Sequence, residues 1–428
     1  MMRRRDLLRT TFAALAASAS GWAITGSTSS ADTARPETDR AEVDPKAAER
    51  TVAALHAFAG GLYGELATES GNVALSPYSV AVALAMVRNG ARGDTAAELD
   101  RVLHVDDPDR FNSGMNTVAQ CLDGHAGKVN RADSSTARIT LSEANALWGQ
   151  RSVEWRSPFL TTLDRYYAAG MRRVDYIADA EAARKRINDW VDERTDGRID
   201  ELLPHGLLDQ DTRLVLVNAL HFKAPWEQPF HNDATRTTPF TRIDGTRVNT
   251  PMMRTTLDSA SYTRGDHWQA VRLPYAGKKL AMTVVLPDSG QLPAVQRDLG
   301  DGGLAALLSP SETTPVNLQL PRWTFRSQLP LQQPLATLGM PTAFTDRADL
   351  SGMTTDTDLR IDAVQHEAFI AVDEQGTEAA AATGVVAGIV SAPAQPVEFT
   401  VDRPFLFVIH DVATGVPLFL GRVTDPSD

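Results

Sequence analysis

The chain has 428 residues, of which 43% are hydrophobic, so it is long enough to bury a large core in one big domain or in a few smaller ones. Its formal net charge is −12 at pH 7, which argues against a nucleic-acid partner because nucleic-acid binding rests on basic patches. Cys121 is the only cysteine, which excludes an intrachain disulfide, and its isolation predicts a buried apolar side chain rather than a metal ligand.

The first 31 residues have the composition of an export signal. Four arginines among the first nine residues precede an uncharged run over residues 10–31, and the motif Arg4-Arg5-Asp6-Leu7-Leu8-Arg9 resembles the twin-arginine signal of exported bacterial proteins. The apolar core of this segment, residues 12–19, is too short to span a bilayer as a permanent helix. We therefore expect a signal peptide over residues 1–31 and a secreted, extracellular protein with no membrane contact in its mature form. The alternative is a disordered basic N-terminus.

The segment that follows marks the approach to the folded domain. Residues 32–46 are polar, charged and without hydrophobic periodicity, which predicts a flexible linker. From residue 47 onward apolar side chains recur at helical spacing, and we expect one domain over residues 47–428. The residues that define its first helix are Val52, Leu55, Ala59, Leu62 and Leu66.

A buried helix with well-defined ends is predicted near the start of this domain. Ser76 is a natural N-cap, and Pro77 suits the first helical position. The helix over residues 77–88 is apolar on nearly all sides, so we expect it to lie inside the protein. Thr95 and Glu98 have the spacing of a capping box, which predicts that Thr95 caps the next helix.

A continuous apolar run over residues 214–222 predicts a central strand that is buried on both faces of a sheet. Asn218 interrupts this run, and a buried amide must find hydrogen-bond partners. Similar patterns predict further strands at 141–150, 280–286, 317–320 and 323–325, and helices at 159–167, 186–195 and 332–338.

The stretch from Asp373 to Pro396 fits no single secondary structure. Its alanine run favours a helix, whereas its threonine and branched residues favour a strand, which indicates a segment that adopts more than one conformation. As a strand it has one face without charged or large side chains, so that face can enter a packed sheet while Glu378 faces water on the other side. The alternative is an alanine-rich surface helix followed by a loop. The entering face consists of Thr377, Ala379, Ala381, Thr383, Val385 and Ala387.

This stretch and its neighbours resemble the serpins, a family of serine protease inhibitors. Residues 366–385, HEAFIAVDEQGTEAAAATGV, resemble the serpin hinge and reactive-centre loop, and the segments VDRPFLFVIHD and PLFLGRVTDP within 401–426 resemble the C-terminal signature. Further blocks at 72–99 and 218–230 follow in the family's order, so the resemblance extends over about residues 47–426. It implies an α+β serpin fold in one domain, with three β-sheets, about nine helices and an exposed reactive-centre loop.

The resemblance also assigns roles to individual residues. Ser76, Ser79, Asn218 and His366 match the family's "shutter" beneath the opening sheet, which implies that His366 bonds to Asn218 and to one of the serines instead of doing chemistry. Trp226 matches the "breach" tryptophan at the top of that sheet. The hinge residues are Glu374, Gly376, Thr377, Glu378, Ala379, Ala380, Ala381 and Ala382.

A suicide-substrate route of inhibition is implied in turn. The loop from Glu374 to Gln395 stands out as bait, a target serine protease attacks it to form an acyl-enzyme, and the cut loop then enters the central sheet as a new strand. Counting from Glu374 puts the reactive bond between Val390 and Ser391. Val390 suits the small apolar pocket of elastase-like or subtilisin-like proteases, and the absence of Lys and Arg from residues 375–395 argues against trypsin-like targets.

We accordingly expect a monomeric inhibitor that is not an enzyme, needs no cofactor and has a serine protease as its partner. Two alternatives stay open. A non-inhibitory serpin would keep the fold but would be cleaved as a substrate without inserting its loop. A hydrolase would need a catalytic triad, a phosphate loop or a metal cluster, and no such motif is recognisable in the sequence.

Overall fold

The computed structural model describes residues 33–34, 36, 38–67, 71–309, 311–377 and 395–427. Within these residues the chain forms nine α-helices and seventeen β-strands in an α+β arrangement. No helix in this part of the chain is long and apolar enough to cross a membrane.

The helices and strands follow one another irregularly along the chain, without a repeated unit. The helices are α1 (Pro45–Leu66), α2 (Pro77–Gly90), α3 (Gly93–Val102), α4 (Pro108–Asp123), α5 (Ser157–Tyr167), α6 (Ala180–Arg194), α7 (Leu292–Asp298), α8 (Leu304–Leu307) and α9 (Gln332–Leu338). The strands are β1 (Thr33–Ala34), β2 (Val73–Leu75), β3 (Gly127–Asn130), β4 (Thr136–Gln150), β5 (Met171–Val174), β6 (Leu214–Pro225), β7 (Arg236–Thr241), β8 (Arg247–Arg264), β9 (Trp268–Pro274), β10 (Leu280–Pro287), β11 (Thr313–Pro321), β12 (Trp323–Pro330), β13 (Ala363–Val372), β14 (Gly376–Thr377), β15 (Val397–Thr400), β16 (Phe405–Asp411) and β17 (Pro417–Val423).

The strands join into two hydrogen-bonded networks. The central sheet has eight strands in the order β1-β5-β4-β6-β14-β13-β12, with β3 paired to the first residues of β4. The second network has nine strands in the order β15-β11-β8-β9-β10-β16-β17-β2, with β7 paired to β8. Strand β8 pairs with β7 and β11 through residues 247–261 and with β9 through residues 261–264, so this long strand joins two portions of the second network. These two portions and the central sheet correspond to the three sheets of the expected fold.

Helix α2 is covered by both networks. It contacts β4 and β6 of the central sheet and β17 of the second network, and every residue from Pro77 to Val87 is buried. Ser76 caps the helix, because its hydroxyl accepts a hydrogen bond from the Ser79 backbone N–H at 3.3 Å. The predicted buried helix is confirmed, and it continues past Arg88 to Gly90.

The segment before the first helix differs from the predicted flexible linker. Helix α1 begins at Pro45, and Asp44 caps it by accepting hydrogen bonds from the backbone N–H groups of Lys46 and Ala47. Thr38 donates to the carboxylate of Asp164 in α5, and β1 pairs with β5 at the edge of the central sheet. The aperiodic polar residues of this segment therefore bond to the domain instead of to water alone.

The start of helix α3 also differs from its prediction. The N-cap residue, Arg92, makes no side-chain capping bond. The Thr95 hydroxyl accepts from the Asp349 backbone N–H at 2.9 Å, and the Glu98 carboxylate accepts from the backbone and hydroxyl of Thr342. The capping-box prediction is wrong because tertiary partners take up both side chains.

Candidate functional site

The central sheet is closed over only part of the boundary between β6 and β13. Residues 363–368 of β13 pair in parallel with residues 215–220 of β6. Beyond this point β14 (Gly376–Thr377) lies between the two strands and runs antiparallel to both. Its second residue pairs with Val372 on one side and with Ala224 on the other. The chain after β13 has therefore turned back and entered the sheet by two residues.

Thr377 is fully buried at this entry point. Its hydroxyl lies 2.7 Å from the hydroxyl of Tyr275, which is buried as well. The Tyr275 ring stacks on Trp226, with ring centroids 4.7 Å apart and an angle of 8° between the planes. Burial raises the pKa of Tyr275 far above its ordinary value, so its hydroxyl stays protonated, and either hydroxyl can donate in this contact. The stacked aromatic pair is thus the surface that the first inserted side chain contacts.

Trp226 also binds the turn that connects β13 to β14. Its indole Nε1 donates to the Asp373 carbonyl at 3.0 Å, and its backbone N–H donates to the Gln375 carbonyl at 2.8 Å. Asp373 closes the turn, because its carboxylate accepts from the backbone N–H groups of Gln375 and Gly376. Gly376 has a φ of +154°, and a Cβ at this position would lie 2.3 Å from the Ala224 carbonyl oxygen. Only glycine fits so close to β6 in this conformation.

Glu374 is anchored inside the protein. Its side chain is 3% exposed, forms an ion pair with Arg322 and accepts a hydrogen bond from the Thr235 hydroxyl. Burial alone would raise the pKa of Glu374, but the bonds from Arg322 and Thr235 hold this pKa below its ordinary value. The carboxylate is therefore charged at neutral pH. The prediction that exposed bait begins at Glu374 is wrong, because Glu374, Gly376 and Thr377 are buried at the end of the sheet.

The four predicted shutter residues lie together where β6 and β13 pair. Asn218 Nδ2 donates to the Ser79 hydroxyl at 2.7 Å and to Asn145 Oδ1 at 2.6 Å. The Ser79 hydroxyl donates to the same Asn145 oxygen at 2.6 Å. On the other side, Asn218 Oδ1 accepts from His366 Nδ1, and His366 Nε2 accepts from the Ser76 backbone N–H at 2.9 Å. One hydrogen-bonded chain therefore connects α2, β4, β6 and β13.

His366 is held in one neutral tautomer. Because Nε2 accepts the Ser76 N–H, the proton must be on Nδ1, where it is donated to Asn218. Burial lowers the pKa of His366 to about 4, and a hydrogen bond to the Asn218 backbone offsets part of that shift. Glu143, which accepts from Asn145 at 3.0 Å, has its pKa raised to about 7 by burial. Ser76, Asn218 and His366 are fully buried, so they position strands and cannot contact a substrate.

The predicted site residues thus fall into two groups along the boundary between β6 and β13. The remaining hinge residues, Glu378–Ala382, and the reactive bond Val390–Ser391 lie outside the described residues. The shutter cluster consists of Ser76, Ser79, Asn145, Asn218 and His366. The breach cluster consists of Trp226, Thr235, Tyr275, Arg322, Glu374, Gly376 and Thr377.

Several members of these clusters are absent from the sequence predictions. Asn145 and Asn218 both begin the tripeptide Asn-Ala-Leu, and the register of β4 and β6 places them opposite each other, so the repeated tripeptide was an available signal. Thr235, Tyr275 and Arg322 have no comparable signal. They lie in segments that no local pattern connects, and only the packing of the two networks brings them to the hinge.

The sequence and the fold of this chain are similar to those of known serpins. The family model described as serpin (serine protease inhibitor) matches residues 53–426. An uncharacterized serpin-like protein of Thermococcus kodakarensis is 38% identical over 381 residues, which cover 88% of this chain and 86% of the relative. The leukocyte elastase inhibitor of Bos taurus is 38% identical over 366 residues, which cover 83% of this chain and 94% of the relative. The crystal structure of the thermophilic serpin tengpin in its native state matches with a TM-score of 0.80 and 25% identity, covering 92% of this chain and 100% of that chain. This chain therefore belongs to the serpin family of serine protease inhibitors and has the serpin fold.

Proposed function

We propose that this serpin inhibits serine proteases by a suicide-substrate route, in which its loop is cleaved, enters the central sheet and traps the protease as a covalent acyl-enzyme. The observation that carries the proposal is the position of β14. This strand already lies between β6 and β13, antiparallel to both, which is the direction that an inserting loop would follow. Further insertion would lengthen this strand, so no new strand has to be nucleated.

The chemical step takes place in the active site of the protease. The protease serine oxygen attacks the Val390 carbonyl carbon, the amide bond to Ser391 breaks, and the Ser391 nitrogen takes up a proton and leaves as a new amino terminus. Val390 is then held as an ester on the protease serine. Water must attack that ester to free the enzyme, so trapping requires loop insertion to be faster than this hydrolysis.

Insertion has to separate β6 from β13 where residues 215–220 and 363–368 now pair directly. The hydrogen bond between Asn218 and His366 joins the two strands in this region, so it must break. Ser79 and Asn145 can stay bonded to Asn218 on the other side of the opening. The shutter cluster therefore contributes to the barrier that keeps the native sheet closed.

The proposed targets are elastase-like or subtilisin-like proteases. Val390 is small enough for their apolar specificity pockets, and Ile389 and Ala387 also suit such enzymes. No Lys or Arg occurs from residue 375 to residue 395, so trypsin-like enzymes lack a basic side chain to bind. The similarity to the leukocyte elastase inhibitor of Bos taurus supports the same target class.

We also propose export through the twin-arginine pathway, with residues 1–31 removed and the mature chain acting outside the cell as a monomer. Its support is the arginine motif followed by a short apolar run, which lies outside the described residues. Replacing Arg4 and Arg5 by lysine should keep the protein in the cell. Export of that variant at the parent level would contradict the pathway.

The test of inhibition is incubation of the mature protein with an elastase, followed by denaturing electrophoresis. A complex at the summed mass that survives detergent is the expected result. A cleaved chain beside active, free protease would instead indicate the alternative, a non-inhibitory serpin that is cleaved as a substrate. Absence of both products with elastase and with subtilisin would contradict the proposed target class.

A further inference from the structure

Three buried side chains that belong to neither cluster form a potential metal site. Cys121 lies in the last turn of α4, His125 follows that helix, and Asp411 ends β16. All three are buried, and their ligand atoms lie within 4.8 Å of one another. We propose that this group binds one zinc ion through Cys121 Sγ, His125 Nε2 and Asp411 Oδ2. The sequence interpretation of Cys121 as isolated overlooked its Cys-x₃-His spacing, and the fold adds the aspartate.

The distances are close to those of a tetrahedral site. His125 Nε2 lies 3.9 Å from Cys121 Sγ and 2.8 Å from Asp411 Oδ2. Zinc bonds of about 2.0–2.3 Å at tetrahedral angles put such ligand atoms about 3.3–3.6 Å apart. These two distances therefore have to change by about half an ångström each to match that geometry, and the third pair, Cys121 Sγ and Asp411 Oδ2, lies within 4.8 Å. Three protein ligands leave a fourth position for a water molecule.

The donor set favours zinc over other common cations. A thiolate and an imidazole suit zinc, whereas calcium and magnesium prefer oxygen ligands alone. The Cys121 thiolate and the Asp411 carboxylate together carry two negative charges, which balance the charge of the ion. With a neutral imidazole the buried site has no net charge, so the penalty for burying an isolated ion is avoided.

The surroundings orient the carboxylate of Asp411. Asp411 Oδ1 accepts from the Thr414 backbone N–H at 2.7 Å and from the Thr414 hydroxyl, which leaves Oδ2 facing His125. His125 Nδ1 is buried and has no hydrogen-bond partner within the described chain, so it can carry the ring proton once Nε2 binds the ion. A bound ion would connect the end of α4 to the turn after β16, across 286 residues of sequence.

The test uses the mature protein produced in zinc-supplemented and in zinc-depleted medium. We expect one zinc ion per chain by elemental mass spectrometry after supplementation, and a melting temperature at least about 2 °C above that of the depleted protein. Cobalt introduced in place of zinc should give a thiolate-to-cobalt charge-transfer band. Only Cys121 can produce this band, because the chain has one cysteine.

Cys121→Ser is the discriminating variant, because it preserves the size of the side chain. We expect it to lose the cobalt band and, like His125→Ala, to bind zinc at least about tenfold more weakly. His205→Ala, which replaces an exposed histidine, is the matched control and should bind like the parent. A parent without zinc after supplementation, or equal zinc affinity in Cys121→Ser, overturns the site. A Cys121→Ser variant that does not melt cooperatively is not folded, and the test then rests on the cobalt spectrum of the parent. A parent spectrum without the thiolate band refutes the proposal.

Discussion

The hydroxyl groups of Thr377 and Tyr275 lie 2.7 Å apart, and both side chains are fully buried. This contact joins β14 to Tyr275, whose ring stacks on Trp226. Residues 376 and 377 of the hinge have thus entered the central sheet in the uncleaved chain. The contacts of Thr377 therefore stabilise the native form before a protease binds. Substitutions at this position can change how fast the loop inserts without changing the bond that is cut.

Thr377→Arg should convert the inhibitor largely into a substrate. The guanidinium would be buried against Tyr275, and burying an unpaired charge costs several kcal/mol, so the hinge of the variant would leave the sheet and bear this cost when it inserts. An increase of about 1.4 kcal/mol in the insertion barrier already slows insertion tenfold. We expect cleavage after Val390 to continue, while the number of inhibitor molecules consumed per trapped protease rises at least about tenfold.

Two variants control for this result. Glu378→Arg changes a residue that the strand pattern assigns to the opposite face, where substitutions usually cost little. Tyr275→Phe removes only the hydroxyl of the contact and should weaken hinge docking by about 1 kcal/mol. Unchanged inhibition by Thr377→Arg, or greater damage from Glu378→Arg, would show that the strand-face assignment is wrong.

The position of the reactive bond predicts a change of target. Mass spectrometry of the peptide released by elastase should show a chain that starts at Ser391. Val390→Arg should then lose inhibition of elastase and gain inhibition of trypsin, because the side chain before the cut fills the specificity pocket. Val390→Ala is the matched control and should stay an elastase inhibitor. Trypsin inhibition by the parent, or a peptide that starts outside residues 388–392, contradicts this assignment.

The substitution Arg322→Ala should destabilise the native form. The buried Glu374 carboxylate would keep only Thr235 as a side-chain partner, and an incompletely satisfied buried group costs about 1–3 kcal/mol. Arg50→Ala is the control, because Arg50 pairs with Asp106 at 3.9 Å where both side chains are largely exposed. Arg50→Ala should change the free energy of unfolding by no more than about 0.5 kcal/mol. Equal unfolding rates in denaturant for the two variants would contradict the anchoring role of Glu374.

The shutter cluster predicts a pH dependence of native stability. The pKa of His366 is lowered to about 4 in the folded state, so the unfolded chain binds more protons between about pH 4 and its ordinary pKa of 6.5. His366 therefore contributes stability that is present above pH 6.5 and is lost as the pH falls toward 4. Taken alone, this contribution raises the unfolding rate as the pH falls over this interval.

His366→Gln isolates that contribution, because glutamine can still donate and accept one hydrogen bond. Burial raises the pKa of Glu143 and Glu367 to about 7, so their contributions have the opposite sign and grow as the pH falls from about 7 toward 4.5. The comparison is therefore the difference between variant and parent at each pH. If the unfolding rates of the two proteins change with pH in the same way, His366 is not the source of the pH dependence.

Cleavage of the loop should raise the melting temperature of the protein. On the proposed route, an inserted loop adds a full ladder of backbone hydrogen bonds between β6 and β13, and a barrier holds the native form before cleavage. Calorimetric scans of the native and the elastase-cleaved protein measure the difference. Equal midpoints would mean that the loop does not insert.

Helices and strands whose bounds depend on neighbouring residues were predictable from the sequence. Ser76 and Pro77 define the start of α2, and the helix expected at residues 332–338 is observed as Gln332–Leu338. The apolar run around Asn218 correctly indicated a strand buried on both faces. Caps and hydrophobic periodicity act over a few neighbouring residues, which is why these predictions needed no knowledge of the rest of the chain.

Local sequence patterns were enough to identify the family motifs, the buried helix and the polar residues that need partners at the boundary between β6 and β13. Three contacts depend on the packing of distant segments: Thr377 is already buried against Tyr275, Arg322 forms an ion pair with Glu374, and Asn145 completes the shutter cluster. These contacts join positions 102, 52 and 73 residues apart. A local pattern can show that a side chain needs a partner, but the identity of that partner depends on how the sheets and helices pack.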